Sequence, residues 1–272
     1  MIAILLIIPI IIMIVGIVIL FFGFKRWKKY HLIIDTPTSK IRSMAMGLVE
    51  IIGVITRSSY IRAPFSNSEC VYYYYKIEEY RRHTHTNSKG HTHTTYRWDT
   101  IDSGQRRVPF FVNDQTGEAY VYPNEADITA PLQQMYYQYA RHYGLFDMII
   151  GSLRDWDSGR SNYLDTGAWQ LVPYNSRVHS NFHASVGDRK YYEYFLNPGL
   201  RLYIMGTAAN DQNAPNNVVI KKGENEPTFM ITYKSEEELA KSLKWQTTGL
   251  LIGGCAVIVV GAIIGWFLSG VG

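Results

Sequence analysis

Hydropathy divides the chain into two apolar ends and a mixed body. Residues 2–24, IAILLIIPIIIMIVGIVILFFGF, carry no charge, and 17 of residues 2–22 are Ile, Leu, Val or Phe. On an insertion scale that composition favours the bilayer by about 5–10 kcal/mol, and the length suits a hydrocarbon core of about 30 Å. The basic residues Lys25, Arg26, Lys28 and Lys29 follow the run rather than precede it, unlike a cleaved leader. The pattern predicts an uncleaved transmembrane helix over 1–24 and a basic juxtamembrane linker over 25–35. A second span is expected at 247–268. Ser235, with Glu238 three residues on, carries the capping-box signature, so a helix should start near 236 and run straight into that span.

The second span has a texture of its own. Gly249, Gly253, Gly261 and Gly265 recur on one four-residue ladder, completed by Val257 and continued by Ser269. Small residues let helix backbones approach closely in lipid. This face is expected to pack against the first span or against a second copy, which makes a homo-oligomer an expectation. The basic cluster 25–29, with Lys241 and Lys244 at the far end, flanks the body on its inner sides. The positive-inside rule then puts the body in the cytoplasm, and Trp27, Trp245 and Trp266 fit interfacial anchors.

The body, 36–235, reads mostly as strand. LVEIIGVI (48–55) and CVYYYYKIEEY (70–80) are β-branched and aromatic, with Pro64, Ser66, Asn67 and Ser68 as a turn between them. Tyr72–Tyr75 suggest a strand with one packed and one wet face. PFFVNDQTGEAYVYP (109–123) reads as a hairpin turning at 114–117, and 200–208 and 227–233 are two further strands. In contrast, 132–155 places Leu132, Met135, Tyr136, Tyr139, Tyr143, Phe146, Ile149, Ile150 and Leu153 at helical spacing. A helical insertion is therefore expected within 132–189, packed on the sheet. The fold class is a membrane protein with two transmembrane helices flanking one β-rich α+β soluble domain, barrel- or sandwich-like, with a helical insertion.

Composition narrows the function. A net charge of +4 in 272 residues, without a basic stripe, is no nucleic-acid signature. The two cysteines, Cys70 and Cys255, allow neither a CxxC redox motif nor a zinc site of cysteine pairs. No GxSxG, HExxH, P-loop or GxGxxG is present. Asp155 and Asp157 flank Trp156 in a loop-like context, which is a poor setting for paired acid–base work. Two spans without an intramembrane charge offer no ion path unless many copies assemble.

The stretch HTHTNSKGHTHTT (83–95) carries His83, His85, His91 and His93. A hairpin centred on Ser88 sets His85 opposite His91 and His83 opposite His93. All four imidazoles then share one face, about 5 Å apart in pairs, where zinc, copper or nickel could bind. Centred between Ser88 and Lys89, the two His pairs face opposite sides instead. Arg81, Arg82 and Lys89 would repel a cation. A solvated polar tip or a pH-responsive cluster are the other readings.

Five blocks, TPTSKIRSMAMGLVEIIGVI (36–55), PFSNSECVYYYYKIEEY (64–80), PFFVNDQTGEAYVYPNEADI (109–128), EYFLNPGLRLYIMGTA (193–208) and ITYKSEEELAKSL (231–243), in this order between two spans, resemble the GIDE family. The resemblance implies a beside-a-membrane domain. Its best-known relatives are mitochondrial outer-membrane E3 ubiquitin ligases, in which a RING of eight Cys/His zinc ligands follows the second span. Here Ser269–Gly272 close the sequence, so the resemblance implies the binding or sensory domain without ligase activity, as in bacterial and archaeal relatives. In the eukaryotic relatives the domain faces away from the cytosol, opposite to the charge rule. Two functions follow as expectations. One is a membrane-tethered scaffold or sensory domain recruiting a so far unidentified protein partner. The other is a metal- or pH-responsive membrane protein using the His hairpin. No enzyme and no resident cofactor are expected.

Overall fold

The structure, a computed structural model, describes residues 2–140, 164–165, 170–174, 184–212, 214, 217–224, 226 and 228–270. Helix α1 (Ile2–Asp35) leads into strands β1 (Gly47–Ser58), β2 (Ile61–Arg62), β3 (Glu69–Cys70), β4 (Tyr72–Thr86), β5 (Thr92–Arg107), β6 (Phe110–Asn113), β7 (Glu118–Val121) and β8 (Asp127–Thr129). Then come β9 (Leu132–Gln138), β10 (Leu164–Asp165), β11 (Gln170–Pro173), β12 (Arg189–Leu196), β13 (Arg201–Asn210), β14 (Val218–Lys221), β15 (Met230–Thr232) and helix α2 (Glu236–Gly270).

Five strands close on themselves in the order β1-β6-β7-β14-β13, because β13 pairs with β1 along its whole front edge, Gly47 opposite Ala208 to Val54 opposite Arg201. The far edge of β13 is shared by β14 and β15, and β15 pairs in parallel with β8. Val49, Ile51, Ile55, Val112, Ile204 and Ile220 fill the barrel. Strands buried on both faces read as near-continuous apolar runs, which explains LVEIIGVI. Its alternate residues Leu48 and Ile52 pack outward, with Tyr203 and Met205, against Ile33 of α1 and Leu243 of α2. The barrel thus sits directly on the stems of the two helices.

Glu50 belongs to that outward row and is fully buried. Its carboxyl accepts hydrogen bonds from Thr38 Oγ1 and Tyr203 Oη, both at 2.6 Å. Burial pushes its pKa up, against those two bonds.

The second sheet is antiparallel, in the order β10-β11-β9-β12-β4-β5. It joins the barrel through Tyr72 and Leu196, which enter the same core. The four tyrosines of β4 depart from the expected one wet face. Tyr72 and Tyr74 pack on the barrel core, Tyr73 packs beside Cys70 and Phe195, and Tyr75 meets Phe65 edge-on at 5.5 Å. The buried Glu193 accepts N–H groups of Phe65 at 2.7 Å and Ser66 at 3.1 Å, which fixes the turn expected at Pro64–Ser68.

Two expectations change here. Residues 132–138 are strand β9, not the start of a helix, with Tyr136 opposite Tyr191 and Met135 opposite Tyr192. The slot beside β12 outweighs the 3.6-residue spacing, and aromatic side chains suit a pleated, covered surface. From residue 141 onward the expected helix lies outside the described residues, as do Asp155 and Asp157. Second, 109–123 turns as expected, but Val218–Lys221, between the strands expected at 200–208 and 227–233, forms an additional strand, β14, parallel to β7.

Helices α1 and α2 are long and apolar enough to cross a membrane, so the chain is an integral membrane protein with two spans. Ser235 Oγ accepts the Glu238 N–H at 3.2 Å and starts α2 as expected. The two helices pack antiparallel on small residues seven apart. A side chain at Gly16 would lie 3.1 Å from Gly254 O, and one at Gly261 would lie 3.2 Å from Pro9 O. Gly23 lies against the Leu251 side chain, 2.9 Å from where its own Cβ would be. A seven-residue repeat keeps one seam facing its partner along the helix, and glycine there admits close backbone contact.

Candidate functional site

The β4–β5 hairpin outruns its sheet. Strand β12 covers β4 only from Tyr72 to Glu79, whereas β4 and β5 stay paired out to Thr86 opposite Thr92. The seven outer residues of each strand form a two-stranded ribbon, about 20 Å long at the rise of a strand. Among the described residues the outer edge of β5 has no partner strand.

The turn sets the register. Asn87 Oδ1 accepts the N–H groups of Lys89 and His91, both at 3.0 Å, and Gly90 adopts φ +80°. Gly90 N–H bonds Asn87 O and Asn87 N–H bonds His91 O. This is a three-residue loop with glycine in the left-handed region. It centres the hairpin on Lys89, a register that neither sequence alternative contained. His85 faces His93, whereas His83 faces Thr95 and His91 belongs to the turn. His83, His85 and His93 still share one face, since their spacing is even.

His83 is engaged elsewhere: its Nε2 lies 2.5 Å from Asp99 Oδ2, and Arg97 Nε donates to Asp99 Oδ1 at 3.0 Å. Partial burial would raise the Asp99 carboxyl, but His83 and Arg97 hold it below the usual carboxylate range. Further in, Arg81 and Arg189 both donate to Glu79 at 2.8 Å and likewise depress it against its burial. This face is therefore an ion-pair ladder. Among the described residues no three His, Cys, Asp or Glu side chains converge to hold a metal ion.

The opposite face carries a row of rings the sequence reading did not single out. Tyr96 stacks on Tyr80 at 6.0 Å, Tyr80 meets Trp98 at 5.2 Å, and Trp98 meets Tyr137 edge-on at 6.0 Å. Lys190 Nζ stands 4.1 Å above the Trp98 ring, and burial lowers its pKa against the pull of Glu78. A partly dehydrated cation over indole is a stronger contact than an exposed one. Tyr96 stays half exposed at the outer end. Buried Asp188 closes the base of the row, accepting from Tyr137 Oη at 2.7 Å, Ala140 N at 2.8 Å and Ser185 N at 2.9 Å. Alternation along β5 could have grouped Tyr96 with Trp98, but only the register places Tyr80 beside them.

The membrane-side residues divide by task. Arg26 bonds Gln246 of α2, and Lys29 pairs with Asp127 at 2.9 Å. Trp27 stacks edge-on with His31 at 4.5 Å, while Trp245 and Trp266 are 75 % and 76 % exposed on the helix exterior. Lys25 and Lys28 line a cleft against the barrel. Of the glycine ladder, Gly261 and Gly265 lie against Pro9 of α1, whereas side chains at Gly249 and Gly253 would meet nothing within 4 Å among the described residues. The glycines that complete the seam are Gly16, Gly23 and Gly254.

Neither curated proteins nor solved structures match this sequence. A family model does: GIDE, described as E3 Ubiquitin ligase, matches residues 79–265, more than half of the chain and inclusive of most of both sheets and much of α2. With a β-rich body mounted between two apolar helices, the chain belongs to the GIDE family.

Proposed function

We propose that this chain is a membrane-tethered scaffold that recruits a protein partner on the free edge and aromatic face of the β4–β5 ribbon. The observation that carries this is the ribbon itself. It projects beyond β12, and its outer edge has no partner strand among the described residues. Long open edges are normally blunted, because they template pairing with other chains. The same edge, flanked by pockets for alternate side chains, supports recognition of an extended peptide by strand addition. Asn87 and His91 form the hydrogen-bonded closing pair, so by alternation Thr92, Thr94, Tyr96 and Trp98 turn their backbone groups outward. The ring row lies on the side of those same residues.

In this reading ligase chemistry is not performed by these residues. A RING needs eight Cys/His ligands around two zinc ions, and the 272 residues hold two cysteines, one in β3 and one in α2. In this reading the juxtamembrane charges favour a cytoplasmic body.

The test uses a photo-crosslinking residue at Thr94 in native membranes, with and without Thr92→Pro, and a second crosslinker at exposed Glu224 on the barrel. Proline is tolerated where the strand N–H faces solvent, so Thr92→Pro keeps the hairpin and removes an outward donor. We expect a protein adduct from Thr94 but not from Glu224, and its loss in Thr92→Pro. An adduct that forms equally with Thr92→Pro would rule out strand addition.

A further inference from the structure

Four lysines surround a cleft of about 550 Å³ between α1 and the barrel, and they do not share one job. Lys29 is paired with Asp127 at 2.9 Å, and Lys222 with Glu125 at 2.7 Å. These two pairs hold the wall. Lys25 and Lys28 also line the cleft, three residues apart on one side of α1, and neither belongs to an ion pair among the described residues. Phe229 and Met230 form an apolar floor beside them, and both are buried.

Depth along α1 specifies what lies at the cleft mouth. Lys25 is the first residue after the uncharged run 2–24, and Lys28 is about 4.5 Å further along the helix. The polar layer of a bilayer is about 5–7 Å thick on each side. The two unpaired ammonium groups therefore stand at the level of lipid phosphates, with the apolar floor behind them.

We propose that this cleft binds the phosphate of an anionic phospholipid headgroup, with Lys25 and Lys28 as its ligands. Lysine holds phosphate as a point charge, and two of them on one helix face suit a single phosphate. Glu226 also lines the cleft, without an ion pair among the described residues, and its charge opposes a second phosphate. The site thus selects a monophosphate lipid such as phosphatidylglycerol over a polyphosphorylated one. The proposal rests on the two-span reading and is independent of the hairpin.

The test is retention of phosphatidylglycerol by the full chain, purified from mixed phosphatidylglycerol/phosphatidylcholine nanodiscs and measured by native mass spectrometry. The chain should retain phosphatidylglycerol over phosphatidylcholine. Lys25→Gln with Lys28→Gln should weaken retention about 30-fold, as expected for two juxtamembrane lysines. Lys25→Arg with Lys28→Arg should restore it. Lys241→Gln with Lys244→Gln removes the same charge from α2 outside the cleft and should leave retention intact. Equal loss in that control would overturn the site in favour of diffuse charge attraction. Displacement of the lipid by inorganic phosphate would overturn the lipid assignment in favour of a free-phosphate site. Undiminished retention in the glutamine pair would overturn both.

Discussion

The barrel and the β4–β5 ribbon are built from the same β-branched and aromatic residue types, and they end up in opposite conditions. In the barrel every strand of the closed ring is paired on both edges, and Val49, Ile51 and Ile204 face one core while Leu48, Ile52 and Tyr203 face the helix stems. In the ribbon each strand has one neighbour beyond Glu79, and side chains are held by ion pairs and ring contacts at the surface. Closure abolishes edges and buries both faces; a two-stranded ribbon does neither, and by itself is marginally stable in water. One region is therefore a mount and the other is a free surface.

The largest break in this comparison should come from the barrel wall. Ile204→Ala deletes fully buried methyl groups and should cost about 3 kcal/mol. Thr84→Ala, on the exposed ribbon, should stay within about 0.5 kcal/mol. Equilibrium denaturation in detergent measures both, and equal costs would erase the distinction.

Next comes the helix seam on which the barrel stands. A pair Pro9→Cys/Gly265→Cys, in a Cys255→Ser background, should crosslink within the chain, since the Cβ positions lie 3.5 Å apart, inside the disulfide range. Adding Gly254→Leu, which drives a side chain into Leu20, should cost about 1–3 kcal/mol of packing and reduce the crosslink accordingly. Adding Gly253→Leu should leave it unchanged, because that glycine faces no neighbour among the described residues.

Acid should move the two regions in opposite directions. The Glu50 carboxyl is raised by burial, so its protonated form favours the fold. Stability from it is fully present below its ordinary pKa and is lost as pH rises through the raised value. Asp99 and Glu79 are held below their ordinary range by His83 and the arginines. Their contribution is present above that range and is lost as pH falls through it. Hydrogen exchange, corrected for intrinsic rates, should show the ribbon opening between about pH 5 and about pH 3 while the β1–β13 pairing is held or tightened. Tyr203→Phe removes one donor to Glu50 and should cost about 1–2 kcal/mol at neutral pH. The smallest effect is reserved for His85→Asn with His93→Asn, an exposed cross-strand pair. Stability should change by less than about 0.5 kcal/mol, and a larger loss would show that the tip is more than a polar end.

Some of this organisation was legible residue by residue. The apolar runs, the Ser235 cap and the strands at 48–55, 70–80, 109–123 and 200–208 follow from local chemistry, because burial by lipid or by one core leaves a local period. The His register was half legible. Gly90 marks the left-handed position of a three-residue loop, and reading it as such would have centred the hairpin on Lys89. Strand β9 was not legible, since Leu132, Met135, Tyr136 and Tyr139 satisfy a helical period equally well, and only the vacancy beside β12 decides between them. The glycine seam with α1 was half legible for a similar reason: Gly261 and Gly265 of the expected ladder face α1. A four-residue ladder and a seven-residue seam both run through Gly261, and which one faces α1 depends on where α1 is.

The amino-acid order by itself determined that the chain enters lipid at both ends, that its middle is β-rich, and that its family is GIDE. Each of these depends on hydropathy, period or motif within a short window. Tertiary structure alone decided that the barrel closes through β13 on β1, that Glu50 is sealed between the barrel and the helix stems, and that Lys25 and Lys28 face a cleft while Arg26 and Lys29 are paired. Those outcomes join residues dozens to hundreds of positions apart, and the free energy that selects them comes from contacts formed only once the chain has closed.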